Sequence, residues 1–147
     1  MSAATVSGDR GKQVIAAADG TEHGFQLTLE TESSGLVAMV TGRIDTVEAL
    51  IAMFMRIAGE LRRTGLKQVL VLDHTQGIVP PEAQMRKLFA AMEGQGFASV
   101  RVAYVDARGT AVSRMEVGEI LGREHGYECR VFDNESRARI WLHYGES

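Results

Sequence analysis

The stretch from Gly35 to Leu72 constrains the fold of this chain more than any other. An apolar run, Leu36 to Val40, leads into Gly42-Arg43-Ile44-Asp45. A helix-patterned segment follows, and Val69-Leu70-Val71-Leu72 ends the unit. Asp45 is a side chain suited to an N-cap, with Glu48 completing a capping box. At about 100° per residue, Val47, Leu50, Ile51, Phe54, Ile57, Ala58 and Leu61 share one face, with Arg56, Glu60 and Arg63 opposite. Gly65 supplies the helix stop. The continuous apolar run at Val69–Leu72 suits a strand covered on both faces. A strand, a helix and such a strand in succession predict a parallel pair with a right-handed crossover.

The flanking sequence extends this unit. Phe25, Leu27 and Leu29 alternate with polar residues, the period of a half-buried strand. Glu32-Ser33-Ser34-Gly35 is a turn, so the first two strands form a hairpin. Pro80-Pro81 opens a second helix, with a stripe of Met85, Leu88, Phe89 and Met92 ended by Gly94 and Gly96. Val100–Val105 is a fourth strand. Residues 111–125 read as a third helix, weakened by Gly118 and Gly122, whose spacing permits close packing. Tyr127–Phe132 is a fifth strand, and Asp133 or Asn134 caps a last helix bearing Ala138, Trp141 and Leu142. The order β-β-α-β-α-β-α-β-α predicts an α/β fold with a mixed five-stranded sheet and flanking helices, the first strand antiparallel. Residues 1–23 are small and polar, with Gly8, Gly11 and Gly20, and read as a flexible N-terminal segment with a short strand at Gln13–Ala16. Residues 24–147 form one domain, an ordinary size for a single core.

Charge and motif content remove several function classes. A net charge of −3 argues against a broad grip on nucleic acid. No apolar run approaches the ~18–20 residues that an integral membrane helix needs. Val14–Ala18 is too short for a signal-peptide core of roughly 7–15 residues, so a cytoplasmic location is expected. The single cysteine, Cys129, allows no internal disulfide, and in a strand it is expected to be a buried structural thiol. His23, His74, His125 and His143 lack zinc-ligand spacing. Ser113 lies in no nucleophile elbow. Asp73 and Asp106 at strand ends suggest a receiver-like or phosphatase-like site, but Lys67 falls at the wrong end of its strand and Lys87 on a helix. No metal, cofactor or catalytic residue is expected, and the chain reads as a non-enzyme.

The order of elements, with Gly42-Arg43-Ile44-Asp45 between the second strand and the first helix, resembles the STAS domains (sulfate transporter and anti-sigma-factor antagonist), which often carry a Gly-x-Leu-Asp-like turn there. The tail from Val131-Phe132-Asp133 through Ala138, Trp141 and Leu142 is similar to that of the bacterial SpoIIAA-like branch. The resemblance covers residues 24 to 143. It implies a regulatory, partner-binding module, and for the SpoIIAA-like branch an apolar ligand or lipid. Antagonists of this type carry a phosphorylatable serine in an Asp-x-Ser-Gly-like turn. Here Asp73-His74-Thr75-Gln76-Gly77 stands in its place, with Thr75 as the candidate phospho-acceptor and one residue more than the pattern.

Two candidate sites result. Asp73-His74-Thr75 and Asp106-Ala107-Arg108-Gly109-Thr110 follow the third and fourth strands, at the carboxyl ends of the parallel strands, where ligands of such sheets bind, so two carboxylates, a histidine and an arginine could gather there. Their bland reading is as turn and cap residues. The second site is the apolar surplus of Ala49–Met55. Counted around the core stripe, Met53 and Met55 project to its two edges. Each edge methionine is worth roughly 1.5–3 kcal/mol when covered, so something covers them: loops of the same chain, a second copy in a homodimer, or the wall of an apolar pocket. A pocket between helices and sheet would be lined by Phe54, Leu88, Phe89 and Met92. The leading expectation is protein–protein interaction, self-association included. A lipid or small apolar carrier and a Thr75 phospho-switch are the alternatives.

Overall fold

A computed structural model describes residues 5–6, 13–19, 24–33, 35–77, 81–106, 119–120 and 122–144, and for the two N-terminal strands the backbone alone. The strands are β1 (Thr5–Val6), β2 (Gln13–Asp19), β3 (Phe25–Glu32), β4 (Gly35–Gly42), β5 (Gln68–Asp73), β6 (Arg101–Asp106) and β7 (Glu128–Phe132). They lie side by side in chain order as one seven-stranded sheet. Pairing is antiparallel from β1 to β4 and parallel from β4 to β7. The expected five strands are β3 to β7, in the expected order and class. β2 contains the short strand expected at Gln13–Ala16 and runs on to Asp19, and β1 adds a further pair.

Helix α1 (Val47–Thr64) joins β4 to β5, α2 (Glu82–Met92) joins β5 to β6, and α3 (Glu135–Tyr144) follows β7. Of the helix expected at 111–125, residues 119–120 and 122–124 are helical; 111–118 lie outside the described residues. Among the described residues no helix is long and apolar enough to cross a membrane.

Side-chain alternation divides the core into two clusters. Leu36, Ala38 and Val40 of β4, Val69 and Val71 of β5, and Val102 and Tyr104 of β6 face α1 and α2, where Leu50, Met53, Phe54, Ile57, Met85, Leu88 and Phe89 meet them. Val37, Leu70, Leu72, Ala103 and Val105 face the other way, against Ala138, Trp141 and Leu142 of α3. This double burial accounts for the unbroken apolar run at Val69–Leu72.

Two local expectations are corrected. The N-cap of α1 is Thr46, not Asp45: Thr46 is the extended residue (φ −127°, ψ 156°), and its Oγ1 accepts from Ala49 N–H at 3.1 Å. Asp45 instead accepts from Arg43 Nε at 2.6 Å. Met53 is not an edge residue. By the count of about 100° per residue it falls about 40° beyond Ile57, but the covered face of α1 reaches past it to Ala49 and Glu60, and it is fully buried. Gly65 ends α1 as expected, with φ 74° and its N–H bonded to Leu61 O at 2.8 Å. For α3, Asn134 rather than Asp133 is the cap, its Oδ1 accepting from Arg137 N–H at 2.9 Å.

Candidate functional site

Asp73 and Asp106 are register partners at the ends of β5 and β6, so their side chains leave the same face of the sheet. Both are buried, as is Thr75. Burying a carboxylate is costly unless its oxygens are hydrogen-bonded. Asp73 meets that demand inside the chain. Its Oδ1 accepts from Thr75 N–H at 2.8 Å and from Thr75 Oγ1–H at 2.5 Å. Its Oδ2 accepts from the Tyr104 hydroxyl, two residues before Asp106 on β6. Burial pushes the Tyr104 phenol well above its ordinary pKa, and the adjacent Asp73 charge raises it further. Tyr104 therefore remains a donor at neutral pH.

Beyond Asp73 the chain keeps to the path of β4. His74 N–H bonds to Val40 O, Gln76 N–H to Gly42 O, and Ile44 N–H to Gln76 O, each at 2.9 Å. Arg43 pairs with Gln76 as an isolated parallel bridge, and Arg43 N–H reaches Gly24 O at 2.9 Å. Two glycines make the approach possible. Gly42 has φ 99°, and a Cβ there would lie 2.6 Å from Gly24 O. Gly77 has φ 123°, and its Cβ would lie 2.0 Å from Ile44 O. Three segments are thus bound edge to edge: Gly24, Gly42–Ile44 and His74–Gly77. From them the side chains of Arg43, His74 and Gln76 are exposed to solvent, as is that of Asp45, the residue after Ile44.

The residues singled out in the sequence separate accordingly. Asp73 and Thr75 come together but are buried, while His74 points out. The Thr75 hydroxyl is engaged with Asp73, so a modifying enzyme reaches it only after the loop opens. Phe54 and Phe89 do meet at a common cavity, together with Leu88 and Met92 as expected, and with Met85, Val102, Tyr104, Glu119, Tyr127, Cys129 and Val131. The cavity is apolar and has a volume of about 20 Å³. Ligand pockets measure roughly 300–1,000 Å³, so this one is far too small for a lipid chain as it stands. Met53 and Met55 are outside its lining; Met55 is half-buried against the core.

Cys129 packs against the same core, and burial pushes its thiol up to about 12, which leaves it protonated and unreactive at neutral pH. Gly122 sits where a Cβ would approach Phe89 Cε1 to 3.2 Å, the close packing its spacing suggested. Among the described residues no three His, Cys, Asp or Glu side chains gather to hold a metal ion. The participant that sequence reading missed is Tyr104. Its signal was the alternation of Val102-Ala103-Tyr104-Val105, which puts a phenol on the Asp106 side of β6, but only the register of β5 against β6 aims it at Asp73.

No family model matches the chain, and comparison with curated proteins finds no match.

Proposed function

We propose that the chain is a non-catalytic, STAS-like interaction module of the SpoIIAA-like kind, and that it binds a partner protein at the carboxyl-end platform carrying Arg43, Asp45, His74 and Gln76. The reading takes the protein to be cytoplasmic and the first candidate partner to be a second copy of the chain. One observation carries it: these exposed polar side chains stand on backbone segments cross-bonded at Arg43, Ile44, His74 and Gln76. A surface ordered before contact loses less conformational entropy on binding, which is one of the costs that a polar interface must offset.

The same geometry weighs on the other readings. Asp73 has both carboxylate oxygens engaged by neighbours within the chain, which favours a structural role over a chemical one. A carrier function needs the small apolar cavity to grow by an order of magnitude. A phospho-switch needs Thr75 to leave Asp73, and a phosphate there would meet the buried Asp73 and Asp106 charges. Association through Met53 has no support, because that side chain is within the core.

The test is site-specific photo-crosslinking in cells of the source organism. A crosslinking residue replaces Gln76 on the platform or, as control, Lys87 on the exposed side of α2. The expected result is one discrete adduct from position 76, absent from position 87 and abolished by Arg43→Glu combined with His74→Glu, with mass spectrometry naming the partner as this chain or another. No adduct from position 76, or the same adducts from both positions, would refute the platform.

A further inference from the structure

The platform loop and the apolar cavity share one residue. The ring of Tyr104 is part of the cavity wall and stacks on Phe54 of α1, with ring centres 6.2 Å apart. Its hydroxyl holds Asp73 Oδ2, and Asp73 Oδ1 holds both the amide and the hydroxyl of Thr75. A phenol is rigid. Turning the ring about Cβ–Cγ leaves the hydroxyl in place, but a swing of the side chain about Cα–Cβ moves the hydroxyl further than any ring atom, and the carboxylate that orients the loop then loses its partner.

The cavity can demand such a rotation. Its volume of about 20 Å³ is just above what one water-sized sphere needs, yet the surface its walls turn inward is apolar, with the Glu119 carboxylate accepting from Val131 N–H instead. It is bounded by Met85 and Met92, whose unbranched side chains re-pack at little cost, and by the stiffer Phe54, Phe89 and Tyr104. Tyr104 differs from the other aromatic walls in carrying a hydrogen bond out to the exposed loop.

We propose that Tyr104 couples the cavity to the loop: a small apolar molecule of a few heavy atoms enters the cavity, swings the Tyr104 side chain aside about Cα–Cβ, removes its hydroxyl from Asp73 and loosens His74–Gly77. By linkage, anything that holds the loop in place disfavours the ligand by the same factor. The biological consequence, a partner released when the cavity fills, rests on the platform reading given above. The coupling is a property of the chain alone and is tested without a partner.

Xenon under pressure is the probe, applied to the full chain and read by nuclear magnetic resonance. In the unmodified chain xenon shifts the Met85 and Met92 methyl signals. With the same half-saturation pressure it shifts the Thr75 and Gln76 amides and speeds exchange of the Thr75 amide hydrogen by on the order of tenfold, the loss expected when one hydrogen bond to a charged group is weakened. In Tyr104→Phe the methyl shifts persist and the amide response disappears. A second variant, Leu88→Ala, enlarges the cavity from α2 without touching the loop, and it must give a larger amide response at equal pressure. The inference is overturned by methyl shifts without an amide response, by an amide response that survives in Tyr104→Phe, by no enlarged response in Leu88→Ala, or by no methyl shift up to the highest pressure. Failure here leaves the crosslinking test standing, and failure of that test leaves this one unaffected.

Discussion

Gly77→Ala tests the platform at its most crowded point, with Gly65→Ala as an internal control. Both glycines have positive φ, 123° at Gly77 and 74° at Gly65, so both alanines carry the conformational penalty of the left-handed region, about 1–2 kcal/mol. The surroundings differ. Nothing lies within 4 Å of a Cβ built at Gly65, whereas at Gly77 the Cβ would fall 2.0 Å from Ile44 O and 2.7 Å from its carbonyl carbon. That overlap is with backbone, which no rotamer change relieves. The strand end must move, and the Ile44 N–H to Gln76 O bond at 2.9 Å, together with the Gln76 N–H to Gly42 O bond, moves with it. Two such bonds contribute about 0.5–1.5 kcal/mol each. Gly65→Ala should therefore cost about 1–2 kcal/mol and Gly77→Ala about 2–5 kcal/mol. In a chain of this size the difference corresponds to roughly 4–10 °C in Tm. Urea unfolding followed by circular dichroism measures both, with equal m-values as the sign that the denatured states match. If Gly77→Ala costs no more than Gly65→Ala, the loop is not held against Ile44, and the rigid platform is wrong.

Two further outcomes are expected. Thr46→Ala should destabilise the chain by about 1 kcal/mol in the same urea assay, because it strips the cap from Ala49 N–H, while Asp45→Ala should cost less, since Asp45 only pairs with Arg43 on an exposed surface; equal losses would mean that Asp45 shares the capping. Cys129 should resist thiol reagents in the native chain at pH 8, where a thiol with a pKa of about 12 is ionised in only about one part in ten thousand, and react at once in urea, where its value returns towards 9.0; rapid native labelling would show that the thiol is not buried.

The elements that could be read from sequence are those whose burial is decided by their own periodicity. The alternation of Phe25, Leu27 and Leu29 and the unbroken run Val69–Leu72 each encode which faces are covered, and both strands appear where that pattern puts them. The length of β2 was not legible. Its alanines carry little face preference, and the strand is fixed by pairing with β3 through a register shifted at two points. Met53 is harder to place for a different reason: which arc of a helix is covered depends on what packs against it, and the covered face of α1 takes in Ala49, Met53 and Glu60, with Met53 about 100° from the centre of the apolar stripe. At the N-terminus of α1 two good caps stand side by side. The choice between Asp45 and Thr46 turned on Arg43, whose guanidinium takes the aspartate.

The candidate site was half legible, and the missing half changes its meaning. Asp73 and Thr75 could be placed at a strand's carboxyl end from sequence, the position where α/β sheets present ligand-binding groups. What the sequence withheld is the cross-strand register, which sets Tyr104 against Asp73 and so closes the carboxylate from below while Thr75 closes it from above. A carboxylate engaged at both oxygens by groups of its own chain orients a loop. The polar groups left for contact are those the loop carries outward, Arg43, Asp45, His74 and Gln76. Replacing Asp73 should thus disturb binding indirectly, through the order of the loop, whereas replacing His74 or Gln76 should leave the loop ordered and weaken only the contact itself.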